Sequence, residues 1–185
     1  MNHLQQSPHN RWQTALVRAQ GWDLDWCLRL NRYSAHRVVL HPFKVVSRLG
    51  DGWFWYGMMG LAVPVVGWSV LPALGQTLLT SAVGLGLYKM LKHKTVRPRP
   101  YQVHQAVMLG ERPLDHFSFP SGHTLHAVLF TIMLGSAVPA FLPVLVPFML
   151  TVGLSRVILG LHYPSDVLAG GVLGAGLASL SLSLV

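Results

Sequence analysis

The sequence predicts an all-α membrane protein: a polytopic bundle of about five transmembrane helices, preceded by an N-terminal amphipathic helix that lies in the membrane interface. Three observations lead to this fold class. Hydrophobic residues make up 51% of the 185 residues and charged residues only 11%, a composition typical of chains that cross a bilayer. Several apolar stretches approach the length of a membrane span. The charged residues fall mostly between these stretches or before the first of them.

The segment before the apolar stretches, residues 22–40, has the pattern of an amphipathic helix in the interface. Its polar face contains Asp25, Arg29, Arg32 and His36. Its apolar face contains Trp22, Trp26, Leu30 and Tyr33. Asp25 and Arg29 are spaced for an i,i+4 ion pair, and Pro42 is expected to end the helix. The alternative is an ordinary amphipathic helix packed on the bundle. Residues 1–52 are predicted to form this region and residues 53–185 the transmembrane core.

The first two apolar stretches are residues 53–74 and 76–91. The first has 22 residues without a charge, enough to cross roughly 30 Å of hydrocarbon. The second is shorter, and its glycines favour close helix packing. Aromatic residues near both ends of the first stretch fit the belts that form at membrane interfaces: Trp53, Trp55, Tyr56 and Trp68.

The remaining stretches are residues 121–139, 141–161 and 164–185. The last of them carries a row of small residues suited to tight packing in lipid: Gly170, Gly171, Gly174 and Gly176. Because successive spans alternate in direction, the end of the second, the start of the third, the end of the fourth and the start of the fifth face one membrane surface. Three polar clusters at these ends are therefore expected to meet in one pocket.

The first cluster, residues 92–100, is basic and contains two prolines that favour an extended chain. Such a segment can present Lys92 and Arg99 to an anion, Lys as a point charge and Arg as a planar fork. The alternative is that these basic residues only set the topology of the flanking span.

The second cluster lies where the third apolar stretch begins. Ser121 is a favourable helix N-cap, Gly122 leaves the backbone open to a ligand, and the helix N-terminus attracts an anion. His123 in the first turn would then lie beside that anion. The alternative is a plain helix cap with an incidental histidine.

The third cluster joins the fourth and fifth stretches. Arg156 lies in an apolar span, where an unpaired charge is costly, so an anionic partner is expected. Asp166 follows His162 by four residues, a spacing that allows a hydrogen bond to one imidazole nitrogen and leaves the other as a nucleophile. The alternative is a buried structural ion pair between Arg156 and Asp166.

Together these motifs resemble the type 2 phosphatidic acid phosphatase superfamily, also called the acid phosphatase and vanadium haloperoxidase superfamily. The family's three motifs are matched in order by Lys92 with Arg99-Pro100, by Pro120-Ser121-Gly122-His123, and by Ser155-Arg156 with His162 and Asp166. Arg97-Pro98 is not the first motif, because its spacing would place the lysine at Met90. Membrane members of the family usually have six spans, whereas this sequence has five and an amphipathic helix.

The resemblance implies a role for each matched residue. Lys92, Arg99 and Arg156, with the region of Ser121 and Gly122, would hold the phosphoryl oxygens. His162 would attack phosphorus, and Asp166 would orient it. His123 would protonate the departing lipid oxygen and then activate water.

The predicted activity is hydrolysis of a phosphomonoester or diphosphate of a membrane lipid through a phosphohistidine. A polyprenyl diphosphate such as undecaprenyl diphosphate is favoured over phosphatidylglycerophosphate or phosphatidic acid, on the resemblance to small bacterial members. The competing enzyme interpretations are phosphoryl transfer to another lipid and vanadate-dependent halide oxidation, and the short membrane chain argues against the second. A non-catalytic lipid-binding or transport protein is the remaining alternative.

Charge and composition narrow the partners. The six acidic residues are scattered and Cys27 is the single cysteine, so no metal and no cofactor is expected. The net charge of +8 calls for an anionic partner, which we assign to a phosphorylated lipid and the bilayer rather than to nucleic acid; the oligomeric state stays open.

The resemblance also implies the bacterial inner membrane. All 14 Lys and Arg residues lie on or near the predicted catalytic side, so the positive-inside rule favours a cytoplasmic active site. Many bacterial family members instead work on the outer face.

Overall fold

The computed structural model describes the backbone of residues 8–184 and the side chains of residues 14, 15 and 18–184. The described chain contains α-helices and short 3₁₀ helices and no strand. The α-helices are α1 Pro8–Asn31, α2 Arg37–Leu49, α3 Trp53–Val66, α4 Leu71–Thr95, α5 Pro100–Val103, α6 Gly122–Ala137, α7 Leu142–Ile158 and α8 Pro164–Leu182. The 3₁₀ helices are Arg32–Ala35, Trp68–Val70 and Pro139–Phe141.

Helix α6 is the centre of the bundle and packs against α4, α7 and α8. Small residues allow the closest of these contacts, because a Cβ atom at Gly170 or Gly174 of α8 would meet the backbone of α6 at Ser121 or Leu125. Nothing lies within 4 Å of the corresponding position at Gly176. The predicted row of glycines thus contributes to helix packing through two of its members.

An aromatic core joins α3 to α6 and α7. Trp55 is 1% exposed and stacks on Phe130, with the ring centroids 5.5 Å apart, while Phe54 stacks on Phe148 at 3.6 Å. The prediction that Trp55 belongs to an interfacial belt is therefore wrong. Trp53 at the start of α3 remains exposed, because successive residues of a helix point to different faces.

The predicted boundary between the first two spans is also wrong. Helix α3 ends at Val66, and Gly67 adopts a φ of +90° that a helix cannot continue. Helix α4 then begins at Leu71. With 14 residues, α3 is only about 21 Å long, whereas the 25 residues of α4 reach about 37 Å.

Within the described residues, three helical segments are long and apolar enough to cross a membrane: Trp68–Val103, Pro139–Ile158 and Pro164–Leu182. Together with the all-helical architecture they support the predicted fold class. The number of spans stays a prediction, as does the division at residue 52.

The N-terminal region departs from the predicted helix. Pro42 lies inside α2 rather than ending a helix, and the break falls at residues 32–36. Pro42 removes one backbone hydrogen bond from the interior of α2, but the helix continues to Leu49. The break follows Asn31, whose side-chain amide donates to the carbonyl oxygens of Met108 at 2.9 Å and Ile158 at 2.8 Å. A long-range contact thus ends α1.

The face of α1 that meets the bundle is formed mainly by residues outside the two predicted faces. Trp22 and Trp26 are exposed, whereas Asp23, Cys27 and Asn31 are buried. Asp25 makes no ion pair with Arg29 among the described side chains. The buried polar residues of this face find partners near the predicted catalytic end, as described below.

Candidate active site

The predicted polar clusters meet at one end of the bundle. A cavity of about 330 Å³ is bordered by α4, by the N-terminal half of α6, by the C-terminal end of α7 with the turn after it, and by the turn between α2 and α3. Six of the eight predicted site residues line it: Lys92, Arg99, Gly122, His123, Arg156 and His162. Ser121 and Asp166 do not line it, although Asp166 lies beside His162. Alternation of the helices thus brings the clusters together, as the spacing of the spans predicts.

Two of the predicted phosphate-binding cations share one carboxylate. Lys92 Nζ donates to both carboxylate oxygens of Asp115 at 2.7 Å and to the carbonyl oxygen of Phe117 at 3.1 Å. Arg99 donates from one terminal nitrogen to Asp115 Oδ1 at 2.8 Å. Its other terminal nitrogen donates to the carbonyl oxygen of Leu161 at 2.8 Å. Asp115 therefore lies where the two cations would otherwise hold an anion.

Asp115 is charged in this position. Burial raises the pKa of its carboxyl, but the hydrogen bonds and charges of Lys92 and Arg99 outweigh burial and hold the pKa below its ordinary value. The sequence analysis did not single out this residue. It lies in the long loop between α5 and α6, and only its contacts in the folded chain distinguish it from other loop acids.

Arg156 is the third cation, and it is 3% exposed. It donates to the hydroxyl oxygen of Ser47 at 2.5 Å, and its Nε has no hydrogen-bond partner among the described residues. No carboxylate of a described residue lies within ion-pair distance of it, so no described side chain supplies the expected anionic partner, and the alternative ion pair with Asp166 is wrong. A buried guanidinium without a counter-ion is an attractive site for an anion that enters the cavity.

His162 lies in the turn between α7 and α8 and is 1% exposed. Its Nδ1 is 3.5 Å from Asp166 Oδ2, which is long for a hydrogen bond, and its Nε2 is 3.4 Å from a terminal nitrogen of Arg99. Burial, together with the charges of Arg99 and Arg156, lowers the pKa of the imidazole well below its ordinary value. The ring is therefore neutral and retains a lone pair at neutral pH.

Asp166 is held by three groups that donate hydrogen bonds to its carboxylate. Arg97 donates to Oδ1 at 2.7 Å, the backbone N–H of Tyr163 donates to Oδ2 at 2.9 Å, and the hydroxyl of Ser118 donates to Oδ2 as well. The His162 ring lies beside the carboxylate without a hydrogen bond to it. Arg97, which the motif spacing set aside, thus contacts a predicted catalytic residue.

His123 has a carboxylate partner that the sequence analysis missed. Its Nε2 lies 2.5 Å from Asp51 Oδ1. Asp51 belongs to the turn between α2 and α3, where Gly52 takes a φ of +142° that a residue with a side chain rarely adopts. An acid flanked by Gly50 and Gly52 was the only available sequence signal, and its partner is 72 residues away.

Ser121 and Gly122 form the start of α6. The Ser121 hydroxyl accepts from the backbone N–H of Thr124 at 3.4 Å, as an N-cap does, and the Ser121 N–H donates to the carbonyl oxygen of Asp166 at 3.0 Å. Ser121 therefore joins α6 to α8 and does not line the cavity. Gly122 does line it, and packs against the ring of Tyr88.

The cavity also has an apolar wall. Leu78, Ala82 and Leu85 of α4 and Trp55 of α3 also line the cavity. In the described part of the chain, no group of three or more His, Cys, Asp or Glu side chains is placed to hold a metal ion. The arrangement suits a ligand with an anionic head and an apolar body.

Comparison with known proteins bears on the family. Residues 73–185 match the PAP2 superfamily. The chain belongs to this superfamily. It is 34% identical over 128 residues to the decaprenylphosphoryl-5-phosphoribose phosphatase of Mycobacterium tuberculosis, which covers 62% of this chain and 70% of that protein. It is 32% identical over 113 residues to the lipid A 1-phosphatase of Rhizobium etli, which covers 58% of this chain and 49% of that protein.

A solved structure has the same fold. The crystal structure of Aquifex aeolicus LpxE superposes with a TM-score of 0.69 over 86% of this chain and 94% of that one, at 23% identity. The predicted family and the all-α membrane bundle are confirmed. The predicted enzyme class, a phosphatase of membrane lipids, is also confirmed, because the relatives are named as phosphatases. The predicted roles of individual residues stay predictions.

Proposed function

We propose that this PAP2 protein hydrolyses a phosphomonoester or diphosphate of a membrane lipid through a phosphohistidine on His162. The observation that carries the proposal is a neutral, buried imidazole in a cavity with three cations, one of which, Arg156, has no carboxylate partner among the described residues. Such a site combines a nucleophile with charge stabilisation for a phosphoryl group.

The first half-reaction is attack on phosphorus by His162 Nε2, the nitrogen that faces Arg99. The N–P bond forms as the P–O bond to the lipid breaks, and His123 donates a proton to the departing oxygen. Asp166, on the side of Nδ1, stabilises the positive charge that develops on the ring. The lipid alcohol, or the lipid monophosphate when the substrate is a diphosphate, leaves.

The second half-reaction uses the same residues in reverse order. His123 accepts a proton from water, the water oxygen attacks phosphorus, and the N–P bond breaks to release inorganic phosphate. Throughout, Lys92, Arg99 and Arg156 hold the phosphoryl oxygens. For Lys92 and Arg99 this requires that hydrogen bonds to Asp115 give way to hydrogen bonds to phosphate.

A polyprenyl lipid is our favoured substrate, with undecaprenyl diphosphate as the first to test. The apolar wall of the cavity supports a hydrocarbon substituent next to the phosphate. The name of the mycobacterial relative, a decaprenylphosphoryl-5-phosphoribose phosphatase, supports the polyprenyl class. Phosphatidylglycerophosphate, phosphatidic acid and lipid A are the competing substrates.

The direct test is phosphate release by the purified full chain in detergent with EDTA, over a panel of these lipids. We expect turnover in chelator, inhibition by vanadate, and a phosphoenzyme that survives a rapid alkaline quench and is lost in acid. His162→Ala, prepared in parallel, is the negative control. No phosphate from any lipid, or turnover that needs added Mg²⁺, contradicts the proposal. Phosphate found on a second lipid instead of in solution would identify a phosphotransferase.

The catalytic end is proposed to face the cytoplasm of a bacterial cell, since the basic residues gather there. Gln105→Cys marks this end and Ala140→Cys the other; both positions are exposed. Native Cys27 is a silent background, because it is buried and burial, followed by the charge of Asp23, raises the pKa of its thiol to about 12. We expect a membrane-impermeant maleimide to label the Ala140→Cys protein on intact cells and the Gln105→Cys protein only after permeabilisation. The reverse pattern places the site outside.

A further inference from the structure

We propose that Arg97 and Asp23 are positioning residues for the nucleophile, and that through them helix α1 contributes to catalysis. The inference rests on the proposed function, in which Asp166 orients His162. It assigns a role to the N-terminal helix and to an arginine that lies between the specified residues of the first family motif. It follows from a chain of contacts that leads from α1 to the catalytic carboxylate.

The centre of this chain is the Arg97 guanidinium, which bridges two carboxylates. One terminal nitrogen donates to Asp166 Oδ1 at 2.7 Å, and the other donates to Asp23 Oδ2 at 2.6 Å. The guanidinium carbon lies 4.1 Å from the centre of the Tyr163 ring, which limits how the group can turn. Arg97 is thereby held in one orientation by three neighbours.

Asp23 is also bound to the first turn of α8. Its Oδ1 accepts from the backbone N–H of Ser165 at 2.9 Å, and its Oδ2 accepts from the Ser165 hydroxyl at 2.5 Å. That hydroxyl in turn accepts from Arg97 at 2.8 Å. Ser165 immediately precedes Asp166, so α1 constrains both the backbone and the side chain next to the catalytic carboxylate.

The charges of these buried groups make the contacts important for the position of Asp166. Asp23 and Asp166 are 3% and 0% exposed, and among the described side chains Arg97 is the one cation within ion-pair distance of both. Loss of the guanidinium would leave two buried carboxylates near each other without compensation. Asp166 Oδ2 already lies 3.5 Å from His162 Nδ1. A small rotation of Asp166 therefore decides whether it stabilises the ring.

The phosphate-binding cations have different partners. Lys92 and Arg99 contact Asp115, and Arg156 contacts Ser47; none of them contacts Asp23. A positioning role therefore predicts different effects on two measured constants. The turnover number should fall, while the inhibition constant of inorganic phosphate should stay the same.

The cleanest variant is Asp23→Asn, which keeps the shape of the side chain and removes its charge. We expect kcat on the best lipid substrate to fall by about tenfold or more, the scale typical of groups that orient a reactive residue. KM and the phosphate inhibition constant should change by less than about twofold. Asp25→Asn is the matched control and should equal wild type, because Asp25 is an exposed acid of the same helix that forms no ion pair with a described side chain.

Arg97→Lys is the second variant, since an ammonium keeps the charge but cannot bridge both carboxylates as the planar fork does. It should lower the rate of phosphoenzyme formation in a single turnover, with Lys94→Gln, an exposed basic residue of the same segment, as control. Ser165→Ala, which removes only one hydroxyl, should give a smaller loss. It keeps the test decisive if the charge variants fail to fold.

Wild-type kcat in both Asp23→Asn and Arg97→Lys overturns the inference. So does an equal change of kcat and of the phosphate inhibition constant, since that outcome describes general damage to the bundle. An inactive wild-type chain would instead refute the proposed function, so the two failures are distinguishable.

Discussion

The two histidines of the site are supported in different ways. His162 and its carboxylate Asp166 are 1% and 0% exposed, and Asp166 is fixed by Arg97, Ser118 and a backbone N–H. The side chains of His123 and Asp51 are 13% and 37% exposed, and among the described residues their one side-chain hydrogen bond joins them to each other. One pair is built into the core of the catalytic end and the other lies at its rim.

This difference matches the work proposed for each pair. A nucleophile must approach phosphorus along one line, and a rigid, buried support favours that alignment. His123, as acid and then as base, must exchange protons with the departing lipid oxygen and then with water. Its side chain therefore needs access to the mouth of the cavity. We therefore expect large losses of activity from substitutions in the buried pair and smaller losses from substitutions in the exposed pair.

The largest effect is expected from His162→Ala. Removing the nucleophile should lower kcat by about 10⁴-fold or more and abolish the acid-labile phosphoenzyme. The measurement is phosphate release together with a rapid alkaline quench that preserves the phosphoenzyme. His41→Ala, an exposed histidine of α2, is the control. Wild-type activity in the His162 variant would refute the mechanism.

A smaller and substrate-dependent loss is expected from His123→Ala. Without the acid, turnover of a lipid alcohol ester should fall by about 10²- to 10⁴-fold. Phosphoenzyme should still form from p-nitrophenyl phosphate, because that leaving group departs without a proton. Equal losses of activity on the two substrates would show that His123 is not the acid.

The Asp51→Asn variant tests whether the exposed carboxylate supports His123. We expect a loss of about tenfold in kcat on the lipid, less than for His123→Ala, since a single, partly exposed hydrogen bond is replaced. The double variant should be no worse than His123→Ala alone, as a double-mutant cycle would detect. If the two losses of kcat multiply in the double variant, Asp51 acts independently of His123.

The smallest effect concerns the anion site between the two histidines. Asp115→Asn removes a charge that competes with phosphate for Lys92 and Arg99. Inhibition by inorganic phosphate should become tighter by about fivefold, which corresponds to about 1 kcal/mol for a partly exposed ion pair. Glu111→Gln, which loses an ion pair to Arg48 outside the cavity, is the control. Weaker inhibition in Asp115→Asn would mean that the carboxylate orients the cations rather than competing.

Local patterns in the sequence were sufficient for much of the site. The N-cap at Ser121, the four-residue spacing of His162 and Asp166, and the basic segment with Lys92 and Arg99 are each encoded within a few residues. Alternation of apolar spans then places them at one end, because a chain that crosses a bilayer repeatedly must reverse direction each time. The family motifs and the catalytic end follow from the sequence for this reason.

The partners of those residues were decided only by the tertiary structure. Asp51 meets His123 across 72 positions, and Asp23 meets Arg97 across 74. The same holds for the burial of Trp55 and the end of α1 at Asn31, which depend on contacts with α6, α7 and the loop at Met108. Periodicity reports which face of a helix is apolar, but a buried carboxylate is stable wherever the fold brings a cation to it. That pairing is a property of the assembled bundle, and no local pattern specifies it.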